Sequence, residues 1–222
     1  KKLIKNSFSL QHETIEIDKL FKYINTHPNF CVCGGYIILQ YLGKDLTQFP
    51  DSNIDIYILN HDDLSNTLQK FLLFLNKYFE LDTVFTYMQN IHWYVNSIYN
   101  IKCKRLHRII RIHCTIYESP LELIYNFDSS YCKAYLYDGN TYVTPDTQYT
   151  RETGLVYFYD QYPVAVRVNK VILLGLYVMN SVDINEKGYK QKYALVKPPL
   201  ESRVSVDYVI NYSIPLKLNK LV

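Results

Sequence analysis

The residues best suited to chemistry lie in segment 51–59, where polar side chains alternate with isoleucines. Asp55 follows Asn53 by two positions, and an isoleucine stands on each side of Asp55. Because successive side chains of a β-strand point to opposite faces, Asn53 and Asp55 share one face while the isoleucines face the core. Phosphoryl-transfer sites use carboxylates on one face to hold two metal ions about 3.5–4 Å apart. Asp55 is therefore the candidate catalytic and metal-binding residue.

Two glycines upstream of this strand are the next candidates. Gly34 and Gly35 lie between a short strand predicted over residues 30–33 and a helix predicted over residues 36–42. Backbone N–H groups at a helix N-terminus can hold a phosphate, and glycine lets the phosphate approach the backbone closely. A tight strand-to-helix turn explains the same pair without any ligand. Only the strand that contains Asp55 makes a phosphate site the stronger interpretation.

Taken together, Gly34, Gly35, Asn53 and Asp55 resemble the signature of the nucleotidyltransferase superfamily, which has a polymerase-beta-like fold. That signature is a hydrophobic residue, Gly-Gly or Gly-Ser, a loop, and then Asp-x-Asp on a strand. The resemblance implies metal-dependent transfer of a nucleotide from a nucleoside triphosphate to a hydroxyl or phosphate. It also implies Mg²⁺ or Mn²⁺ as the cofactor and a third carboxylate on a later strand.

A later segment carries a narrower likeness. It contains Ser119 and Pro120 at the start of a predicted helix, then Phe127, Asp128, Cys132 and the turn Tyr137, Asp138 and Gly139. This order is similar to that in uncharacterised nucleotidyltransferase-like proteins of large DNA viruses and fungi. The likeness covers residues 30–139 and implies no function of its own. We favour for Asp128 a role in capping or bracing a turn over the alternative of a catalytic acid.

The carboxylate set expected from the signature is incomplete. Asn53 stands in the first aspartate position, and an amide is a poorer ligand for a hard divalent ion than a carboxylate. The candidate third strand turns Arg111, His113 and Thr115 toward the site, and none of them is a carboxylate. A cation there would repel a metal ion. Basic side chains can instead attract a phosphate, so Arg111 and His113 are candidates for binding one. Asp51 could replace the lost charge only if the strand begins early.

Basic residues are concentrated in one segment, which raises nucleic acid as a partner. They are Lys102, Lys104, Arg105, His107, Arg108 and Arg111. The net charge of the chain is only +3, and that value does not demand a nucleic acid. We favour a solvated strand edge over a phosphate track, because short basic runs are common on surfaces.

Composition restricts the class of protein further. The five cysteines form no Cys-x-x-Cys pair, which predicts reduced, buried thiols in a cytoplasmic-type compartment such as host cytoplasm or a virion. No apolar run approaches the roughly 20 residues of a membrane span, so no membrane association is expected. Tyrosine is abundant and glycine scarce, at 23 and 7 residues. This bias is typical of AT-rich genomes, such as those of large DNA viruses.

The apolar pattern predicts an α+β fold, with a nucleotidyltransferase-like mixed sheet, flanking helices and an extended C-terminal segment. Predicted helices cover residues 17–26, 36–42, 121–127 and 164–177, and a further one follows a cap formed by His61, Asp62 and Asp63. Predicted strands cover residues 30–33, 53–59, 93–103 and 108–116, and a hairpin covers residues 131–144. Residues 1–145 are expected to form the core with an N-terminal arm over residues 1–12, and residues 146–222 a helical segment and a tail.

Three functions are compatible with these features. The favoured one is a degenerate nucleotidyltransferase-fold protein that acts as a binding or structural module, with a protein partner bound through its C-terminal tail. The second is an active enzyme that uses Asp55 with Asp51, binds a nucleoside triphosphate and requires Mg²⁺ or Mn²⁺. The third is a nucleic-acid-binding accessory subunit that uses the basic segment and the tyrosines.

Overall fold

The chain folds as an α+β protein with a mixed β-sheet. The structure is a computed structural model, and it describes residues 15–87, 95–158, 165–179 and 210–212. The chain divides into two compact units: unit 1 contains residues 1–123 and 136–139, and unit 2 contains residues 124–135 and 140–222. The predicted arm and most of the predicted tail lie outside the described residues. The expected domain boundary after residue 145 stays a prediction.

Unit 1 contains helices that pack on a mixed sheet. Its helices are α1 (residues 15–25), α2 (Gly35–Tyr41) and α3 (Leu64–Phe79), and a 3-10 turn covers Leu46–Gln48. Its strands are β1 (Phe30–Cys33), β2 (Ile54–Ile58), β3 (Leu81–Tyr87), β4 (Val95–Cys103) and β5 (Leu106–Thr115). They lie in the order β1-β2-β5-β4-β3. β2 runs parallel to β5, and the other neighbouring pairs are antiparallel.

One face of this sheet carries the apolar core, as the alternation in β2 predicts. Ile54, Ile56 and Ile58 are completely buried. Helix α3 covers this face with Phe71, whose ring centroid lies 5.0 Å from that of Phe30 in β1. Full burial of a side chain of this size stabilises a fold by about 1.5–3 kcal/mol. The polar residues of β2 therefore lie on the opposite face.

The elements around the glycine pair agree with the sequence prediction. β1 ends at Cys33 and α2 begins at Gly35, with Gly34 between them at a φ of 81°. α2 ends at Tyr41, and Gly43 follows at a φ of 66°. A glycine in this left-handed conformation is a common way to end a helix.

The edge strand β3 was not predicted from the sequence. Its side chains are exposed on both faces near its end, with Val84 40% and Phe85 54% exposed. Because neither face is buried, the strand has no alternation of apolar and polar residues that would reveal it. Glu80 separates it from α3 and takes a φ of 54°.

Unit 2 is built from short elements. They are β7 (Asn140–Val143), α5 (Pro145–Thr153), β8 (Leu155–Val156), α6 (Ala165–Leu173), β9 (Tyr177–Val178) and β10 (Ile210–Tyr212). Two further elements, α4 (Pro120–Tyr125) and β6 (Ala134–Tyr137), have residues in both units. The predicted hairpin turn joins β6 to β7, with Asp138 and Gly139 at φ values of 47° and 72°. β10 pairs with β7 antiparallel, and β8 pairs with β9 in parallel.

The helix predicted over residues 164–177 is shorter than expected. α6 ends at Leu173, Gly175 takes a φ of 71°, and Tyr177 begins β9. Burial varies along this helix, because Val171 is 0% exposed but Leu173 is 76% exposed. A glycine with a positive φ ends the helix, and only one stripe of it is buried.

Candidate functional site

The strand register brings Asp55 beside Arg111. These two residues are directly opposite each other in the parallel pair β2–β5. Cys33 is opposite Asp55 in β1, and Asn100 is opposite Arg111 in β4. Because opposite residues of paired strands share a face, Cys33, Asp55, Arg111 and Asn100 form one cross-strand row. Asp55 and Arg111 thus lie on one face, as the alternation of side chains predicts.

The Asp55 carboxylate contacts two basic side chains. Its Oδ1 lies 3.3 Å from Nε2 of His113 and 3.8 Å from Nη1 of Arg111. The side chain of Asp55 is 18% exposed, that of His113 is 8% exposed, and that of Arg111 is 38% exposed. Opposite charges at this separation attract more strongly where water is partly excluded. Asp55 therefore has a guanidinium and an imidazole as neighbours where a metal site would need further carboxylates.

The imidazole of His113 packs against the ring of Tyr57 and contacts the carboxylate of Asp55. Its imidazole stacks on the ring of Tyr57, with 4.3 Å between centroids and 9° between planes. Its Nε2 faces Asp55, which accepts a hydrogen bond from that nitrogen when it carries the proton. Its Nδ1 is buried and has no hydrogen-bond partner among the described residues. The imidazole is thus fixed in place beneath the Asp55 carboxylate.

Gly34 makes room for this carboxylate. A Cβ atom added at Gly34 would lie 2.7 Å from Oδ2 of Asp55, which is shorter than any normal non-bonded contact. The φ of 81° at Gly34 is also one that residues with a side chain rarely adopt. The close approach therefore explains a glycine here without a phosphate. A phosphate-binding role for Gly34 and Gly35 stays a prediction.

Three further candidates lie around the edge of this arrangement. β2 begins at Ile54, so half-buried Asn53 precedes the strand. Asp51 lies exposed in the turn before Asn53, and the early strand start that would align it with Asn53 does not occur. Thr115 is completely buried, and its Oγ1 accepts a hydrogen bond from the backbone N–H of Tyr117 at 3.2 Å.

The residues around Asp55 do not fit a centre of two metal ions. Mg²⁺ and Mn²⁺ prefer oxygen ligands, carboxylates above all. Asp55 is flanked in its row by a thiol and a guanidinium, and His113 also contacts it. Across the ranges that the structure describes, no group of three or more His, Cys, Asp or Glu side chains is arranged to hold a metal ion. No catalytic step through a metal ion follows from this arrangement.

The basic segment is divided between different roles. Arg108 is 5% exposed and donates hydrogen bonds to the backbone carbonyls of Leu46, Phe49 and Ser52 at 2.7–3.1 Å. Its guanidinium also lies 5.5 Å from the ring centroid of Tyr36. The buried position was detectable, because Arg108 falls on the core face of β5 by alternation. Its carbonyl partners lie 56 to 62 positions away in the sequence, so they could not be predicted from the sequence.

Other candidates named from the sequence have structural contacts. His61 contacts the Leu59 carbonyl through Nδ1 and the Thr67 hydroxyl through Nε2, each at 2.8 Å. Asp63 directly precedes α3, but its side chain makes no capping hydrogen bond, so the predicted side-chain cap was wrong for this residue. Asp128 pairs with Arg167, which agrees with a bracing role.

Cys103 and Cys114 are poor candidates for a nucleophile. All five cysteines are free, and four of them are buried. Burial raises the pKa of Cys103 to about 11, with a smaller contribution from the nearby charge of Asp82. Burial also raises the pKa of Cys114. Since the thiolate is the reactive form, these two thiols are inert near neutral pH.

Unit 2 contains a buried polar cluster that the sequence analysis missed. Lys133 and Asp146 are 3% and 5% exposed, and Nζ of Lys133 lies 3.8 Å from Oδ2 of Asp146. The Tyr157 hydroxyl donates a hydrogen bond to Oδ1 of Asp146 at 2.6 Å. Buried charges are tolerated when they are paired and hydrogen-bonded in this way. No motif spacing connects these residues, so only the folded chain reveals them.

Comparison with known proteins identifies no family. No protein-family model matches this sequence, and no curated protein matches it significantly. In the part of the chain that the structure describes, no helix has the length and apolar character to cross a membrane.

Proposed function

We propose that this protein is a nucleotidyltransferase-like binding module in which an internal ion pair replaces the catalytic metal centre. The observation that carries the proposal is the contact of the Asp55 carboxylate with both His113 and Arg111. The carboxylate that resembles the catalytic one of the superfamily is paired with the guanidinium of Arg111 and contacts the imidazole of His113.

The strand arrangement supports the resemblance on which the proposal depends. β1 leads through the glycine turn into α2, and the chain returns in β2 beside β1. The later strand β5 then pairs in parallel with β2. This order gathers the glycine turn, Asp55 and the position of the third carboxylate at one place. A nucleotidyltransferase site requires these three parts together.

The charges of the same residues argue against metal-dependent catalysis. A metal ion beside Asp55 would meet the guanidinium of Arg111 across about 4.8 Å of strand spacing. Like charges at such a distance repel, and the repulsion grows as water is excluded. The resemblance implies a third carboxylate on a later strand, and on β5 the residue opposite Asp55 is Arg111. The arrangement therefore favours binding without transfer.

Calorimetric titration with ATP, GTP, CTP and UTP, with and without Mg²⁺ or Mn²⁺, tests this proposal alongside a transfer assay with labelled triphosphates. We expect no metal-dependent binding and no transferred nucleotide. Asp55→Asn is the matched variant, because it keeps the size of the side chain and removes the charge. Metal-dependent binding or transfer that Asp55→Asn abolishes would contradict the proposal and establish the active enzyme instead.

The nucleic-acid function receives less support from the fold. Arg108 is buried against backbone carbonyls, and Arg105 pairs with Glu80 at 2.6 Å. Both residues are thereby engaged within the chain rather than arranged along one exposed phosphate track. Binding to DNA or RNA that weakens steeply with added salt would reopen this function.

A further inference from the structure

The cross-strand row continues onto the edge strand with an exposed aromatic ring. Phe85 in β3 is directly opposite Asn100 in β4, so Phe85, Asn100 and Arg111 share one face. Lys102 shares this face too, because it lies two residues after Asn100 and is opposite Thr83. Phe85 is 54% exposed, and Lys102 is also exposed. Two cations, an amide and an aromatic ring are thus combined on one face of the sheet, between β5 and the edge strand β3.

Arg111 is oriented by the protein but keeps most of its hydrogen-bond donors. Its Nε donates to Oδ1 of Asn100 at 2.9 Å. Its Nη1 lies 3.8 Å from Oδ1 of Asp55, which is too long for a hydrogen bond. The donors on the two terminal nitrogens therefore have no hydrogen-bond acceptor among the described residues. A guanidinium oriented in this way, with its side chain 38% exposed, is prepared to bind a phosphate through two parallel hydrogen bonds.

Asp55 does not cancel the attraction of this edge for an anion. Its Oδ1 is shared between Arg111 and His113, so its charge is not directed at the guanidinium alone. Its side chain is 18% exposed against 38% for Arg111, so the guanidinium is the more accessible group. Lys102 adds a second exposed cation to the same face. The exposed cations Arg111 and Lys102 are therefore more accessible to an anion than the Asp55 carboxylate is.

Phe85 and Arg111 are separated by the length of a nucleotide. Neighbouring strands lie about 4.8 Å apart, so these residues, two strands apart, are roughly 10 Å from each other along the row. A phosphate on Arg111 would place an attached base near the ring of Phe85. Stacking of a base on an aromatic side chain contributes about 1–3 kcal/mol. The spacing therefore favours a ligand with an anionic end and a flat end over a simple anion.

We propose that Arg111 and Phe85 form a metal-independent binding site for a single nucleoside monophosphate. The phosphate binds Arg111 with help from Lys102, and the base stacks on Phe85. This inference rests on the proposed function, because it names the ligand of a module that needs no metal. Inorganic phosphate shares the chemistry recognised by Arg111 but has no base, so it binds more weakly.

Calorimetric titration of the whole chain with AMP, GMP, CMP and UMP in EDTA tests the proposal, with inorganic phosphate and adenosine as fragments. We expect the best monophosphate to bind at least about ten-fold more tightly than either fragment. Arg111→Gln should weaken monophosphate binding about ten-fold or more. Phe85→Ala should weaken monophosphate binding but leave phosphate binding unchanged, and Phe85→Trp should retain it.

Two matched controls lie close by. Arg105→Gln removes another exposed arginine, one that pairs with Glu80, and Val84→Ala changes the opposite face of β3. Neither should alter the affinity, and circular dichroism checks that each variant is folded.

Several outcomes would overturn the proposal: no binding of any monophosphate, binding that requires Mg²⁺, unchanged affinity in folded Arg111→Gln, or phosphate binding as tight as that of the nucleotide. Of these outcomes, only Mg²⁺-dependent binding would also contradict the proposed function. The other outcomes would be compatible with a protein that carries out no metal-dependent transfer. Conversely, metal-dependent transfer would overturn the proposed function even if Phe85 and Arg111 bind a monophosphate.

Discussion

Oδ1 of Asp55 lies 3.3 Å from Nε2 of His113, although 58 positions separate the two residues in the chain. The parallel pairing of β2 with β5 produces this contact, because it sets Tyr57 opposite His113. The imidazole stacks on Tyr57 and reaches back to the carboxylate two residues earlier. The register of these two strands therefore sets the contacts of the Asp55 carboxylate.

Loss of the Asp55 charge should destabilise the fold. Asp55→Asn removes the counterion of Arg111 and the charged acceptor that faces His113, so we expect the free energy of unfolding to fall by about 1–2 kcal/mol. Urea denaturation measures the change. Asp51→Asn removes a carboxylate from the exposed turn nearby and should change the stability by less than about 0.5 kcal/mol. Equal effects of the two substitutions would show that the contacts of Asp55 contribute nothing.

The space around Gly34 can be tested against a second glycine that also has a positive φ. Gly34→Ala should destabilise the protein more than Gly43→Ala. Both glycines have a positive φ, but a Cβ atom meets Asp55 at Gly34 and nothing within 4 Å at Gly43. We expect about 1 kcal/mol for Gly43→Ala and at least about twice that for Gly34→Ala. Thermal unfolding of both variants measures the difference.

A double-mutant cycle with Asp55→Gly isolates the clash itself. In the Asp55→Gly background, the cost of Gly34→Ala should fall by the part that the clash contributes, and the part due to the backbone conformation of Gly34 should remain. An unchanged cost would assign the glycine requirement to backbone conformation alone.

A second carboxylate at position 111 should create a metal site. Arg111→Asp places a carboxylate directly opposite Asp55, about 4.8 Å away across the parallel strands. We expect this variant to gain Mn²⁺ binding that the parent chain lacks, as detected by electron paramagnetic resonance. Arg105→Asp adds the same charge elsewhere on the surface and should gain none. Mn²⁺ binding by the parent chain would contradict the replacement of the metal by an ion pair.

Arg108 should be required for folding stability rather than for binding. Arg108→Met leaves the carbonyls of Leu46, Phe49 and Ser52 without their donor, which should cost about 3 kcal/mol. Arg105→Met breaks an exposed ion pair and should cost less than about 1 kcal/mol. Chemical denaturation measures both values. Similar losses in the two variants would show that the buried hydrogen bonds of Arg108 are weak.

Cys103 should make stability depend on alkaline pH. Its pKa is raised from 9.0 to about 11 by burial, so the unfolded chain releases this proton first. The free energy of unfolding should therefore fall as pH rises from 9 toward 11, and the contribution is complete below pH 9. Urea denaturation of the parent chain and of Cys103→Ala at pH 8 and pH 10.5 measures the contribution of Cys103 to this pH dependence. Parallel pH profiles for the two proteins would contradict the prediction.

The sequence by itself determined the local elements and the faces of the central strands. The alternation in β2 placed Asp55 opposite the isoleucine core, and the same rule placed Arg111 and His113 together on β5. Gly34 and Gly35 indicated where the first strand turns into a helix. These features were predictable because the direction of a side chain depends on its own backbone and on a period of two residues.

Tertiary structure alone decided which of these faces meet. The parallel register of β2 and β5 joins Asp55 to Arg111 and His113, and the pairing of β3 with β4 brings Phe85 into the same row. β3 itself carries no alternation to reveal it, and the partners of Arg108 lie more than fifty positions away. Periodicity is a property of one strand, whereas register is set by the packing of the whole sheet.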